Sequence, residues 1–285
     1  MEKTRLPAFK GKPLIAIPEN TPQAGFLEGD FGKAFLAEYQ GKVKIDYKNA
    51  NALNVLSYTD GIVKESNPFV VVLANQILKQ EGLRTANQAD LERVLKTNAF
   101  NLRGTYEDTG LVLRTEGNPN EYLAKNLAEQ VKARGKKAGE TPILISLNEL
   151  EIVNDSNSPK GLVFKLTDEA ELIYAPILNG KNNQKSFSET GKYGLPEKLG
   201  DGNRTLYTRD SGLSRLYLGR GLSLISNDGG LADSGDGGRV VVVSGEATSQ
   251  KILDDYLKNL QEIRDKQISE VDRRYKKAEK VLSGK

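Results

Sequence analysis

Leu216, Leu218, Leu222 and Leu224 all fall on even positions. Side chains of an extended chain alternate between two faces, so a straight strand here would put all four on one side. The other side would carry Tyr217, Gly219, Gly221, Ser223 and Ile225. Leu231 and Ala232 add a smaller apolar anchor. Residues 240–243 are then four consecutive valines, the pattern of a strand covered on both faces. This spacing points to a layered sheet in the carboxyl-terminal half. Between the anchors lie Ser226-Asn227-Asp228-Gly229-Gly230 and Asp233-Ser234-Gly235-Asp236-Gly237-Gly238.

Those polar stretches have an unusual vocabulary. Between Lys198 and Glu246 there is no lysine, glutamate or glutamine, although all three are common elsewhere in the chain. Gly, Asn and Asp are also what tight hairpin turns prefer, so the stretches read as turns alone on that count. Ordinary exposed loops, however, use Lys, Glu and Gln freely. Their absence favours an adaptable recognition surface, in which Tyr supplies rigid contact area and small polar residues supply hydrogen bonds. Asp228, Asp233 and Asp236 could gather around a calcium ion, but their spacing fits neither the EF-hand loop nor the glycine-aspartate nonapeptide. No P-loop lysine or dinucleotide fingerprint is present. Neither a metal nor a cofactor is expected.

The chain has no cysteine, histidine or tryptophan. Disulfides, thiolate nucleophiles, Cys/His zinc sites and Ser-His-Asp triads are thereby excluded. Net charge is +3 with both signs interspersed, which argues against nucleic acid or anionic lipid as partners. No apolar run reaches the length of a membrane span and no secretory leader is evident, so a cytoplasmic or virion-associated location is the default expectation.

The amino-terminal half reads as mixed. Strands are expected at 14–17 and 43–47, and a short helix at 31–39. Asn67 with Pro68 opens a helix that Gly82 ends, and Asn87 with Asp90 caps a second running to about Lys96. This pair resembles a helix-turn-helix, though its second helix offers only Arg93 and Lys96 as cations. Residues 111–113 read as a strand, and 118–121 open a helix with Leu123, Leu127 and Val131 on one face. Lys136 and Lys137 fall in an expected solvated loop. Strands are expected at 143–147, 162–166 and 172–175, with an irregular surface excursion at 180–202. From Ser249 to about Leu282 the pattern is a long amphipathic helix with one phase shift, able to pack on its own chain or on copies of itself.

On the residues 217–237, followed by Gly238-Arg239-Val240, the chain resembles the variable proteins diversified by retroelements, which carry a C-type lectin fold of the formylglycine-generating-enzyme type. In that family a reverse transcriptase rewrites adenines in chosen codons, which can yield most residues but never Lys, Glu, Gln, Met or Trp. The chain as a whole is expected to be α+β, with an amino-terminal α/β region and its helical pair at 1–103 and an amphipathic helix at 248–285, which departs from the family by continuing past the expected last strand. The resemblance covers roughly residues 104–247 and implies a lectin-like ligand-binding domain there. It implies a variable surface of Tyr217, Gly219, Arg220, Gly221, Ser223, Ile225, Asn227, Asp228, Gly229, Gly230, Asp233, Gly235, Asp236 and Gly237. Leu216, Leu218, Leu222, Leu224 and Leu231 would be the fixed frame. The family's tryptophan-rich motif is absent, and Asn stands in the core stretch only at Asn227.

The expected activity is therefore binding rather than catalysis, with Tyr217 and Arg220 as anchors and no catalytic residue. The expected partner is a macromolecule, most simply a protein, and copies joined through the tail helix would add avidity. Two alternatives stand beside it. One is a carboxylate-based hydrolase such as a glycosidase, drawing on Glu149 with Glu151, Asp168 with Glu169, or Asp228 with Asp233. The other is a structural surface or virion protein.

Overall fold

The computed structural model describes residues 23–48, 50–139, 141–181 and 184–244, together with Ser269, Arg273 and Tyr275. Strand β1 (Gln23–Phe26) leads into helix α1 (Gly29–Asp46). The expected strand at 43–47 is the end of this helix instead. Phe35, Leu36, Tyr39 and Val43 are buried at helical spacing, whereas Ile45, which the alternating pattern would bury, is 73% exposed. The hairpin β2 (Ser57–Thr59) and β3 (Ile62–Lys64) follows.

Helix α2 (Pro68–Leu78) has Pro68 in its first turn, and the Asn67 side chain accepts from the Val70 N–H at 3.0 Å. Apolar nearly all round, it lies in the interior. Gly82, at φ +71°, turns the chain into β4 (Leu83–Thr85) before α3 (Gln88–Thr97) begins on a reciprocal Asn87–Asp90 capping box. The intervening strand removes the helix-turn-helix resemblance. β5 (Glu107–Leu113), α4 (Glu121–Ala133) and β6 (Ile143–Ser146) follow, and α4 buries Leu123, Leu127 and Val131 as its spacing predicts.

The hairpin β7 (Leu150–Asn154) and β8 (Leu162–Leu166) leads to β9 (Ile173–Tyr174), β10 (Gln184–Phe187), β11 (Arg204–Tyr207), β12 (Leu213–Leu218), β13 (Leu224–Ile225) and β14 (Val241–Ser244). Seven strands form one curled sheet in the order β10-β11-β13-β12-β5-β6-β9, antiparallel except for β11 with β13. A second sheet has the order β1-β14-β4.

The sheet is covered on both faces. Leu111, Leu113, Ile143, Ile145 and Leu213 join α1, α2, α4 and β7–β8 in the main core. Val112, Leu144, Leu206, Leu216 and Leu224 face the other way, onto Leu178 and Phe187. A third cluster sets Leu91 and Val94 of α3 against Leu218, Val241 and Val243. The valine run is thus buried on both sides: Val240 and Val242 enter the main core, and Val241 and Val243 the third cluster. The 180–202 excursion is tied down by the buried Phe187 and by Leu195 and Leu199 packed beside it. Lys136 is not free in solvent, since its Nζ donates to the Leu172 carbonyl at 2.5 Å.

The described residues between 23 and 244 make one compact unit, and the main core runs without a break across the boundary expected at 103/104. The architecture is mixed α+β. The expected strand at 14–17 lies outside the described residues, as does the tail helix apart from Ser269, Arg273 and Tyr275, which are helical. Among the described residues no helix is long and apolar enough to cross a membrane.

Candidate ligand-binding surface

The even-numbered leucines do not lie on one straight strand. The chain reverses at residues 219–223, where the Gly219 N–H donates to the Ser223 carbonyl (2.8 Å) and the Leu222 N–H to the Gly219 carbonyl (2.7 Å). The turn preserves parity. Leu218 pairs with Leu224, and Tyr217 with Ile225. Leu216, Leu218 and Leu224 are therefore buried as a frame, with Leu231 buried in the main core. Leu222 sits at the turn with φ +66° and is partly buried. On the opposite face the parallel strand β11 places Tyr207 level with Ile225. Tyr207, Ile225 and Tyr217 thus form a half-buried row across three strands. Tyr207 is absent from the sequence expectation, because nothing local signals a parallel pairing across eighteen positions.

Arg215, also unanticipated, is the centre of the site. Its guanidinium is buried and meets Asp108 in a two-pronged pair, Nε to Oδ1 at 2.7 Å and Nη2 to Oδ2 at 3.0 Å. Nη1 reaches the loop above, donating to the carbonyls of Gly230 (3.2 Å) and Asp233 (3.0 Å). The rings of Tyr217 and Tyr106 flank the cation at 4.5 and 5.2 Å and meet each other edge to face. Tyr106 Oη donates to the Ser66 carbonyl (3.0 Å) and accepts the Gly235 N–H (2.9 Å). The Arg215 N–H donates to the Asp228 carbonyl, and Asp228 Oδ1 accepts the Gly230 N–H at 2.8 Å. One cation and two tyrosines thereby hold residues 228–235 from beneath.

The electrostatics follow from this burial. Desolvation pushes the Asp108 carboxyl up, against the pull of the Arg215 guanidinium. Burial, then the Asp228 charge, pushes the Tyr217 hydroxyl up to about 12. Next to Asp108, Glu107 points to the opposite side of β5. Desolvation pushes it up to about 8. Its Oε1 accepts from Thr105 Oγ1, while its buried Oε2 has no partner. On the far side of the sheet Arg114 is buried among neutral oxygens. It donates to Leu178 O at 2.8 Å, Ser214 Oγ at 2.7 Å and Ser226 O at 2.9 Å. Burial and then neighbouring Arg209 pull it down to about 9, which leaves it a cation.

The expected surface residues come together in part. Arg220 is exposed and pairs with exposed Asp236 at 2.6 Å, which brings the hairpin tip against the loop. Gly221, Asp233 and Asp236 are exposed, while Ser223, Ile225, Asn227, Asp228, Gly229, Gly230 and Gly235 are half-buried. Gly219 and Gly237 are buried and present no surface. At several glycines a side chain would force a neighbour to move, cheaply where that neighbour is the end of a flexible side chain and not where it is the Pro119 ring. A Cβ on Gly230 would sit 2.1 Å from Asp233 Oδ2, one on Gly229 2.9 Å from the Pro119 ring, and one on Gly237 2.7 Å from the Arg220 guanidinium. Gly221 and Gly235 have open space. The freely exchangeable set is thus smaller than the expected list.

Among the described residues no three acidic side chains are gathered to hold a metal ion. Asp228 is committed to the Gly230 N–H, and Asp236 to Arg220. No protein-family profile, curated protein or solved structure matches the chain.

Proposed function

We propose that this chain is a ligand-binding protein whose recognition surface is the hairpin tip at Arg220 and Gly221 together with the loop at 227–236, bordered by the Tyr207–Ile225–Tyr217 row. The observation that carries this reading is the Arg215 clamp. A polar loop of small residues is fixed by its backbone carbonyls and amides, so its exposed side chains contribute little to holding it in place. Frame and surface are then separable: buried leucines supply stability, and the outward residues are cheap to change.

We further propose that the surface is diversified in the manner of the retroelement family. Support comes from the lack of Lys, Glu and Gln between Lys198 and Glu246, and from the loop's position just before β14, the last strand described. The scaffold would then be lectin-like and the ligand a macromolecule, most simply a protein. We prefer this reading to the hydrolase alternative, in which Glu151 already faces Lys165 at 3.6 Å.

Two measurements test the proposal. Sequencing around the coding DNA should reveal a near-copy of the stretch for 213–238, differing almost only at adenines, beside a reverse transcriptase gene. A neighbourhood with neither would remove the diversification. Separately, a display library varied at Arg220, Gly221, Asp233, Gly235 and Asp236 should stay folded and yield binders to assorted proteins. A library that mostly unfolds would remove the recognition surface itself.

A further inference from the structure

On the other side of the hairpin from the loop lies a cleft of about 500 Å³, within the range of small-molecule sites. No residue of the proposed recognition surface lines it. Its floor is the Glu92–Arg204 pair, joined at 2.6 and 2.7 Å. That pair is already saturated. Glu92 also accepts from Gln88 Nε2 (2.9 Å) and Thr190 Oγ1 (3.3 Å), and Arg204 Nε donates to the Leu222 carbonyl (2.7 Å). The floor is polar but offers no unspent charge.

The walls differ. Phe100 is held edge-on against Phe26 at 4.9 Å, and Leu95 and Leu222 complete an apolar side. Leu222 takes the left-handed conformation that glycine normally supplies, at φ +66°. Strain of this kind persists where the surroundings enforce it, and it concentrates at ligand sites. At the rim stand Lys96 and Arg103, both exposed, and neither has an acidic partner among the described residues. The carbonyls at the end of α3 do not absorb their charge fully, because Val94 O and Leu95 O accept the Ala99 and Asn98 N–H groups.

We propose that this cleft binds a small organic anion: a flat apolar body against Phe100, Leu95 and Leu222, with a carboxylate or sulfonate head between Lys96 and Arg103. A cation is repelled by the rim, and a neutral apolar molecule gains nothing from it.

Anilinonaphthalene sulfonate, whose emission rises on burial, is the probe, with uncharged phenylnaphthylamine as its partner. The folded protein should bind the sulfonate saturably at one site. Lys96→Glu with Arg103→Glu should weaken it by about tenfold or more while leaving the neutral probe unaffected. Leu222→Gly, which suits the left-handed turn and removes a wall, should weaken both probes. If the charge-reversed protein fails to fold, Lys96→Ala with Arg103→Ala replaces it, and a several-fold loss for the sulfonate alone is expected. Absence of saturable binding overturns the proposal. So does sulfonate affinity indifferent to the rim charges, or neutral-probe affinity indifferent to Leu222.

Discussion

Arg215 holds a carboxylate, two carbonyls and two aromatic rings at once, with its own guanidinium and the Asp108 carboxylate buried. A buried pair adds little stability over an apolar replacement, but breaking one side leaves an uncompensated charge. Arg215→Met should therefore cost about 3–5 kcal/mol, read as a lower urea midpoint. Arg215→Met with Asp108→Leu should recover much of it. In the single variant, amide exchange at Gly230 and Gly235 should speed up more than the global loss explains; uniform acceleration would mean the loop is held by something else. Tyr217 belongs to the same stack, so Tyr217→Ala costs stability as well as contact surface, whereas exposed Arg220→Ala should stay within about 0.5 kcal/mol. Glu107 makes a separate prediction. Its ordinary value is 4.5 and its folded value about 8, so the folded state binds the extra proton between them. Stability from this group is complete at low pH and is lost as pH climbs through that interval, on the order of a few kcal/mol. Glu107→Gln should flatten melting temperature against pH from about 5 to 8 and raise it at the alkaline end. An unchanged slope would locate the titration elsewhere.

At the scale of elements, the hairpin of β12 and β13 explains what the amino-acid pattern could and could not reveal. Leu216, Leu218 and Leu224 were legible as a frame because a turn centred on one residue keeps even positions on one face. The caps of α2 and α3 were legible because Asn67 and the Asn87–Asp90 box act within one helical turn. Arg215 was not, since alternation assigns it to the outward face with Tyr217, and only the distant Asp108 and the loop carbonyls bury it. Residues 43–47 misled for a related reason: Val43, Ile45 and Tyr47 alternate, but five residues satisfy a helix equally, and Phe35 and Tyr39 upstream decide. The glycines of the loop looked alike in sequence but differ in surroundings, and this can be measured. Gly221→Ala should be nearly neutral, and Gly230→Ala and Gly237→Ala need only swing aside the flexible ends of Asp233 and Arg220, whereas Gly229→Ala drives a Cβ to 2.9 Å from the rigid Pro119 ring. Loss of about 1–3 kcal/mol is expected for Gly229→Ala, seen as a lower melting temperature. Leu216→Ala should cost more, about 2–5 kcal/mol. Equal tolerance at Gly221 and Gly229 would show that the loop has room to shift.

Across the whole molecule the decisive element is β14. It lies between β1 and β4, so the last strand described closes a sheet with the first, and its four preceding and included valines enter two different cores. The main core meanwhile joins Phe69 and Val72 of α2 to Leu111 and Ile143 of the large sheet. The sequence expectation places a boundary at 103/104; the pairing of β4 with β14 and the shared core both cross that position. Two independent domains would unfold in two steps. A shared core predicts one. Denaturant unfolding followed by far-ultraviolet circular dichroism and by tyrosine emission should give coincident transitions, tyrosine serving because the chain has no tryptophan. Tyr39 and Tyr47 report from the amino-terminal side, and Tyr106, Tyr207 and Tyr217 from the sheet. Val243→Ala should then lower both curves together, because loosening β14 removes support from β1, β4 and α3 at once. Separated midpoints, or a shift confined to one signal, would restore a boundary between the halves and leave the recognition loop resting on the sheet alone.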